Sequence, residues 1–160
     1  MTLELRPFAA RDQSWLEGWI GQAARAMQCD EDALAGLCAD PTRLRLVIIR
    51  DGISAGVLAA RERAPARGAA IIDLVATPRV HARRGVAMAA VTLLEQRLRR
   101  HGARTIYAPV PEAHGIAVYF WIRLGYRPLM RGAWPEQRDR VVWMRRDPSA
   151  QKNGSQSRMA

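Results

Sequence analysis

The chain has 160 residues, 49% of them apolar, which is enough for one domain with its own core and excludes a chain disordered throughout. Its net charge of +10 (25 basic residues against 15 acidic) is almost wholly arginine, with Lys152 the single lysine. Guanidinium pairs bidentately with phosphate and carboxylate, so an anionic ligand is favoured; a GC-rich genome that writes arginine for lysine accounts for the same excess, and both can hold. Two cysteines, Cys29 and Cys38, without a CxxC exclude a zinc site and fit a reducing, cytoplasmic compartment. No run approaches 18 apolar residues and residues 1–11 hold no apolar leader segment, so neither a membrane span nor secretion is expected.

Residues 2–6 alternate and meet Pro7, which predicts a short first strand. Residues 12–27 read as one helix, with Trp15, Leu16, Trp19, Ile20, Ala23 and Met27 on one face. Asp30 is placed to cap a second short helix running through Cys38, and Asp40-Pro41 stops it. An apolar strand over 44–50, an Asp51-Gly52 hairpin turn and a return strand over about 53–61 follow, with Gly56 inside the return. After a turn at 64–68, residues 69–76 are a nearly continuous apolar run, as expected for a central strand covered on both faces. The clearest helix spans 85–100. Val86, Ala90, Leu93, Leu94 and Leu98 form its buried stripe, Arg97, Arg99 and Arg100 suit its C-terminal end, and Gly102 can stop it. A strand over 105–110, a short helix over 115–124, a strand from Tyr126 and a last strand over 141–144 complete the order. That order, β-α-α-β-β-β-α-β-α-β-β, predicts an α/β (α+β) fold: a mixed sheet with helices on both faces. Residues 1–148 read as a single domain and the polar stretch 149–160 as a disordered tail.

The most informative stretch is the basic turn His81-Ala82-Arg83-Arg84-Gly85-Val86-Ala87 at the start of the long helix. Helix N–H groups, the positive dipole end and two guanidinium groups converge there, which is the chemistry of a pyrophosphate site and points to a nucleotide-bearing cofactor. Side chains at 85 and 87 must stay small for phosphate to approach the backbone, and the N–H groups of Arg83 through Met88 are placed to donate. A helix start with solvated arginines is the plainer alternative.

Two motifs resemble the GNAT superfamily of N-acetyltransferases. The family opens its long helix with Gln/Arg-x-x-Gly-x-Gly/Ala after a central strand; here Gly85 and Ala87 match, while Ala82 stands at the leading position. Its second signature, Asn-x-x-Ala-x-x-x-Tyr-x-x-x-Gly-Phe, is met by Ala117, Gly125 and the aromatic Tyr126, with His114 in place of Asn and Trp121 in place of Tyr. The element order agrees along about residues 2–146. The resemblance implies a mostly antiparallel central sheet, acetyl-CoA as cofactor, and acetyl transfer to an amine by direct attack in a ternary complex. It implies that Leu74, Val75 and Ala76 run beside the pantetheine arm, whose amides pair with backbone as an extra strand would. It also implies cofactor contacts from His81, Ala82, Arg83, Arg84, Gly85, Val86, Ala87 and Met88 at the turn, with Arg83 and Arg84 near the 3′-phosphate, and from His114, Ala117, Phe120, Trp121 and Arg123 on the short helix. Pairing of this kind needs the central strand to part from its neighbour, and Pro109 and Pro111, which cannot donate to a ladder, fit that as well as they fit a plain strand end.

The implied reaction needs a free amine, an N–H donor for the carbonyl oxygen, and an acid for the leaving thiolate. A backbone N–H near Val75 or Ala76 suits the second need. Family members often use the Tyr that Trp121 replaces as the acid, and an indole N–H gives up no proton at neutral pH. Tyr119 lies about 200° round the helix from Trp121 and is no simple substitute. Asp73 on the central strand is a candidate base, its side chain expected on the face of Val75 and opposite Leu74, with pairing to a nearby arginine as the alternative. His114 is a candidate proton shuttle or a helix cap, and Glu112 a further candidate base. Trp15, Trp19 and Trp134 are candidate walls of the acceptor pocket, Trp15 and Trp19 being alternatively core; Trp143 is a candidate for the same rim or for a dimer face, a homodimer being common in the family. The resemblance implies no metal.

The acceptor is then a small-molecule or peptide amine, and the basic chain disfavours polycationic ones. Two rivals remain at this point. One is a toxin-type acetyltransferase acting on aminoacyl-tRNA, motivated by the charge and opposed by the lack of aromatic residues among the basic segments. The other is a non-catalytic module that binds acyl-CoA.

Overall fold

The computed structural model describes residues 1–147, so the tail expected at 149–160 lies outside the described residues. Seven strands form one sheet: β1 (Leu3–Pro7), β2 (Leu44–Arg50), β3 (Ile53–Glu62), β4 (Ala69–Ala76), β5 (Thr105–Pro111), β6 (Arg127–Pro128) and β7 (Val141–Arg146). Their spatial order is β1-β2-β3-β4-β5-β7-β6, with every neighbouring pair antiparallel except β4 and β5. The β2–β3 hairpin turns on Asp51 and Gly52, both at positive φ, the geometry that suits right-twisted strands joined by two residues.

Helices cover both faces. On one, α4 (Val86–Arg100) and α5 (Gly115–Arg123) pack Val86, Ala90, Leu94, Leu98 and Trp121 against Leu58, Ala60, Ala70 and Ile72. On the other, α1 (Gln13–Glu17), α2 (Ile20–Ala26) and α3 (Glu31–Ala39) lay Leu16, Trp19, Ile20 and Leu34 on Val57, Ala59, Leu74 and Ala76. The single helix expected over 12–27 is therefore two. Trp19, at φ −137° and ψ −11°, leaves the helical path, and the break lets Leu16, Trp19 and Ile20 all bury against a twisted sheet that a straight rod would leave. Asp12 anchors this segment: its carboxylate accepts from Arg6 Nη1 (2.9 Å) and Nη2 (2.8 Å) and from the Ala9 N–H (2.8 Å). Asp30 caps α3 as expected, its Oδ1 accepting from the Asp32 N–H at 2.7 Å.

Two features of the sheet position the site. First, β4 and β5 pair only from Ala69↔Thr105 to Ile71↔Tyr107; beyond that β5 stays zipped to β7 as far as Pro111↔Val141 while β4 stays with β3 as far as Ala76. The sheet is split down its middle, and the open edge of β4 keeps backbone groups without a strand partner. Second, Ala59 pairs with Leu74 and Ala60 with Ile72, so Asp73 is the extra residue of a β-bulge. The bulge turns Asp73 onto the face of Leu74, below α3, instead of the face of Val75 that unbroken alternation predicts.

Candidate functional site

The split opens into a cavity of about 210 Å³ whose walls include Leu74 and Val75 of β4, Pro109 and Pro111 of β5, Ala87 of α4, and His114, Ala117, Phe120 and Trp121 of α5. It continues through Ala87, Ile116 and Phe120 into a second cavity of about 340 Å³ at the basic turn, lined by Thr77, His81, Arg83, Gly85, Val86, Met88, Tyr119 and Arg123. Together they form one groove from the middle of the sheet to the start of α4. Of the residues expected around a cofactor, Ala76, Ala82 and Arg84 lie off this groove. Ala76 is buried against the α1–α3 face, Ala82 lines the outer side of the turn with Gln22 and Arg79, and Arg84 is exposed.

At the turn the backbone is shaped for an anion. Arg83 (φ +59°) and Gly85 (φ +75°) both adopt left-handed conformations around Arg84. Gly85 is the N-cap of α4, and the first intrahelical bond runs from the Ala89 N–H to its carbonyl at 3.0 Å, which leaves the N–H groups of Val86, Ala87 and Met88 without helical acceptors. A Cβ built on Gly85 meets no atom within 4 Å, so the space in front of these donors is clear of protein. His81 adds a buried Nδ1 without a hydrogen-bond partner among the described residues. This donor set is chemically suited to a diphosphate such as that of coenzyme A.

On α5, His114 is the N-cap. Its Nδ1 accepts from the Ala117 N–H at 3.3 Å, so in the neutral ring the proton sits on Nε2. Trp121 is buried, edge-on to Phe120 (5.4 Å) and to Tyr126 (4.8 Å), and forms a wall of the groove. The Tyr126 hydroxyl donates to Glu95 Oε1 at 2.9 Å, while Arg146 Nη1 donates to Glu95 Oε2 at 2.7 Å, so a buried charge network ties α4 to the end of α5 and to β7. Burial, and then the Glu95 charge, push the Tyr126 phenol well above its ordinary value. Tyr119 is 62% exposed beneath the Arg123 guanidinium. Ile116, Tyr119, Phe120 and Arg123 share one helical face, so the first two were readable as groove residues from spacing alone; Thr77 carried no such signal.

Asp73 does not sit as a free carboxylate. Its side chain is fully buried; Oδ2 accepts from Arg43 Nη1 and from Arg61 Nε (2.9 Å), and Oδ1 from Arg61 Nη2 (2.9 Å). Arg61 also grips Glu136, at 2.6 and 3.1 Å. Glu136 and then Asp73 hold the Arg61 guanidinium above its ordinary value, and Arg61 in turn lowers Glu136. The geometry thus favours the ion-pair alternative for Asp73 over the base. Glu112 is exposed beyond the end of β5 and lines neither cavity.

The mouth opposite the basic turn is a cavity of about 260 Å³ between α3, β4 and the 129–140 loop. None of the tryptophans expected there lines it. Trp19 is core, Trp15 packs edge-on against it at 5.3 Å, and Trp134 covers Ile71 and the fully buried Trp143, which is thus neither rim nor dimer face. A further cavity of about 360 Å³ lies at the far end of the sheet by Gly68, Leu98 and Arg104. It adjoins the C-terminal end of α4, away from the groove. Among the described residues no His, Cys, Asp or Glu cluster could hold a metal, and no helix is long and apolar enough to cross a membrane.

The architecture is a mixed sheet split between its two parallel central strands, with free helix N–H groups at the open end. Solved structures agree in architecture. An acetyltransferase from Thermus thermophilus superposes with a TM-score of 0.73 at 22% identity, over 92% of this chain and 97% of that one. The ribosomal-protein-S18-alanine N-acetyltransferase from Escherichia coli gives 0.67 at 18%, over 95% and 98%. The N-acetylglutamate synthase from Neisseria gonorrhoeae, complexed with coenzyme A and N-acetyl-glutamate, gives 0.70 at 14%, over 92% of this chain and 35% of that one. No curated protein sequence matches. A family model described as "Acetyltransferase (GNAT) family" matches residues 9–126, and the chain belongs to that family. It is an acyltransferase, and the family's fold typically uses acetyl-CoA.

Proposed function

We propose that this protein transfers an acetyl group from acetyl-CoA to a primary amine of a small molecule or peptide, with both bound at once. The observation that carries this reading is the parting of β4 from β5 after Ile71, which joins a phosphate-binding turn at one mouth to a second cavity at the other. Acetyl-CoA, when bound, supplies a thioester acyl group activated toward amines. The N–H groups of Val86, Ala87 and Met88, with Arg83, would hold its phosphates. The open edge of β4 would orient its amide arm as an added strand does, and a β4 N–H near Val75 or Ala76 would polarise the thioester carbonyl. Phe120 and Trp121 exclude water from that stretch. His114 lines this wall with its proton on Nε2, and we assign it a hydrogen bond to the reacting groups. With Asp73 held by arginines, the proton of the amine is left to solvent at the acceptor mouth.

Calorimetry tests the cofactor half. Micromolar acetyl-CoA binding is expected, abolished in Gly85→Glu by a carboxylate in the phosphate space and weakened about tenfold in Arg83→Ala. Arg84→Ala, altering a residue off the groove, should cost less. Wild-type protein that binds no acetyl-CoA would overturn the reading.

A further inference from the structure

The cavity opposite the basic turn has a charge arrangement that its position alone does not require. It is lined by apolar groups, Met27, Leu34, Leu37 and Val141 among them, and by Arg43, Asp73 and Arg138. It shares Met27, Asp73, Leu74, Pro109 and Pro111 with the cavity in the split, so it is the approach to the reacting end of the groove.

Its one acidic lining residue is already engaged. Asp73 accepts three hydrogen bonds from Arg43 and Arg61, and the neighbouring Glu136 is held by the same Arg61. Arg43 is further fixed by Asp40 Oδ2 at 3.1 Å. Arg138 is different. Its nearest carboxylate oxygen, Asp73 Oδ1, is 3.9 Å from Nη1, beyond hydrogen-bond reach, and among the described residues it donates no hydrogen bond. Its guanidinium therefore brings five donors to a half-exposed cavity wall, none of them in a hydrogen bond among the described residues. A planar fork of this kind is complementary to a carboxylate. The rest of the lining is apolar and accommodates an uncharged frame between that carboxylate and the split.

We infer that this cavity selects an acceptor amine carrying a carboxylate on an apolar frame, an amino carboxylate of amino-acid size, with Arg138 binding the carboxylate and Asp73 holding Arg43 and Arg61 in place beside it. The inference rests on the reading of the split as the transfer site. Asp73 is then a positioning residue: it orders the cationic wall and takes no part in proton transfer. A cationic acceptor meets the exposed guanidinium of Arg138 and long-range repulsion from a chain of net charge +10.

The test compares three acceptors on one frame: leucine, leucinamide and isoamylamine. Transfer is followed by release of coenzyme A thiol, and acceptor binding by calorimetry on the complex with coenzyme A. Leucine should exceed the other two by about tenfold or more in kcat/KM. Arg138→Gln should erase that preference mainly through KM and leave acetyl-CoA affinity unchanged. Arg11→Gln, removing one exposed charge elsewhere, should keep it. Equal or better use of the amide or the plain amine, binding of no acceptor while acetyl-CoA still binds, or an Arg138→Gln variant that keeps the preference would overturn the inference and spare the cofactor reading. Failure to bind acetyl-CoA would remove both.

Discussion

Replacing Gly56 by alanine would set a methyl carbon 2.6 Å from the carbonyl oxygen of Ala76, 3.0 Å from Ile48 Cδ1 and 3.0 Å from Thr77 Cγ2. Ile48 can shift its terminal carbon, but the Ala76 carbonyl is backbone at the end of β4, and it must retreat by at least about 0.4 Å to regain 3.0 Å. Overpacking of this kind costs about 1–3 kcal/mol. At this chain length each kcal/mol lowers Tm by about 2–4 °C, so a fall of about 2–12 °C is expected by calorimetric melting. The displacement is passed on to Thr77, the next residue and a wall of the cavity at the basic turn. Acetyl-CoA affinity should therefore fall as well, by about tenfold, since a misplacement of less than 1 Å is enough to spoil several aligned donors. Gly52→Ala is the control. It forces alanine to φ +81° in a hairpin turn with no atom within 4 Å, so it should cost about 1–2 kcal/mol of stability and nothing in affinity. Wild-type affinity in Gly56→Ala, alongside a lowered Tm, would refute the claim that the Gly56–Ala76 approach fixes the turn.

Acid should unfold the protein partly through Asp12 and Glu136. Arg6 hydrogen bonds hold the first below its ordinary 3.8 and Arg61 hydrogen bonds the second below 4.5, so their stabilisation is complete above those values and fades as pH drops through the lower folded ones. Urea midpoints between pH 6 and 2 should thus decline below about pH 4, less steeply in Asp12→Asn, and an unchanged slope in that variant would contradict the assignment. In the buried network, Arg146→Ala strands the Glu95 charge and should cost about 3 kcal/mol, against about 1.5 for Tyr126→Phe; the reverse order in urea unfolding would argue against a charged Glu95. His114→Ala should lose about 1 kcal/mol of capping that His114→Asn restores, while kcat stays low in both; recovery of kcat in the Asn variant would leave the ring a cap alone.

Much of this fold was written in local pattern. The nearly continuous apolar run at 69–76 became β4, and the stripe from Val86 to Leu98 became α4, because the first is short, apolar and bounded by turn residues and the second keeps helical spacing over more than two turns. The start of α4 at the basic turn was equally legible, since its glycine and the apolar stripe after it lie in consecutive residues. The break at Trp19 was not: burial of Leu16, Trp19, Ile20 and Ala23 keeps helical spacing through the gap, so periodicity cannot register the bend. Nor was the bulge at Asp73, which adds one residue to one strand, leaves no mark in composition and reverses the face on which the side chain emerges. The cluster around Asp73 draws Arg43, Arg61 and Arg138 from three distant places. In a chain where nearly every basic residue is arginine, nothing local distinguishes those three from the solvated majority. The aromatic residues misled for a related reason: Trp15, Trp19 and Trp134 are large enough to be useful either in a pocket or in a core, and here the core took them.

The two halves of the sheet meet edge to edge over three residue pairs, Ala69 to Ile71 with Thr105 to Tyr107. Past that short seam the halves resemble jaws on a hinge, and main-chain pairing does not set how far they gape. A clasp lies beside the inner end of the split, where Arg61, paired with Ile71 at the last residue of the seam, grips Glu136 of the other jaw at 2.6 Å. Two side chains at the water's edge therefore share with the packed helices the task of fixing the bore of the groove, and salt, which loosens such a clasp, becomes a means of adjusting it.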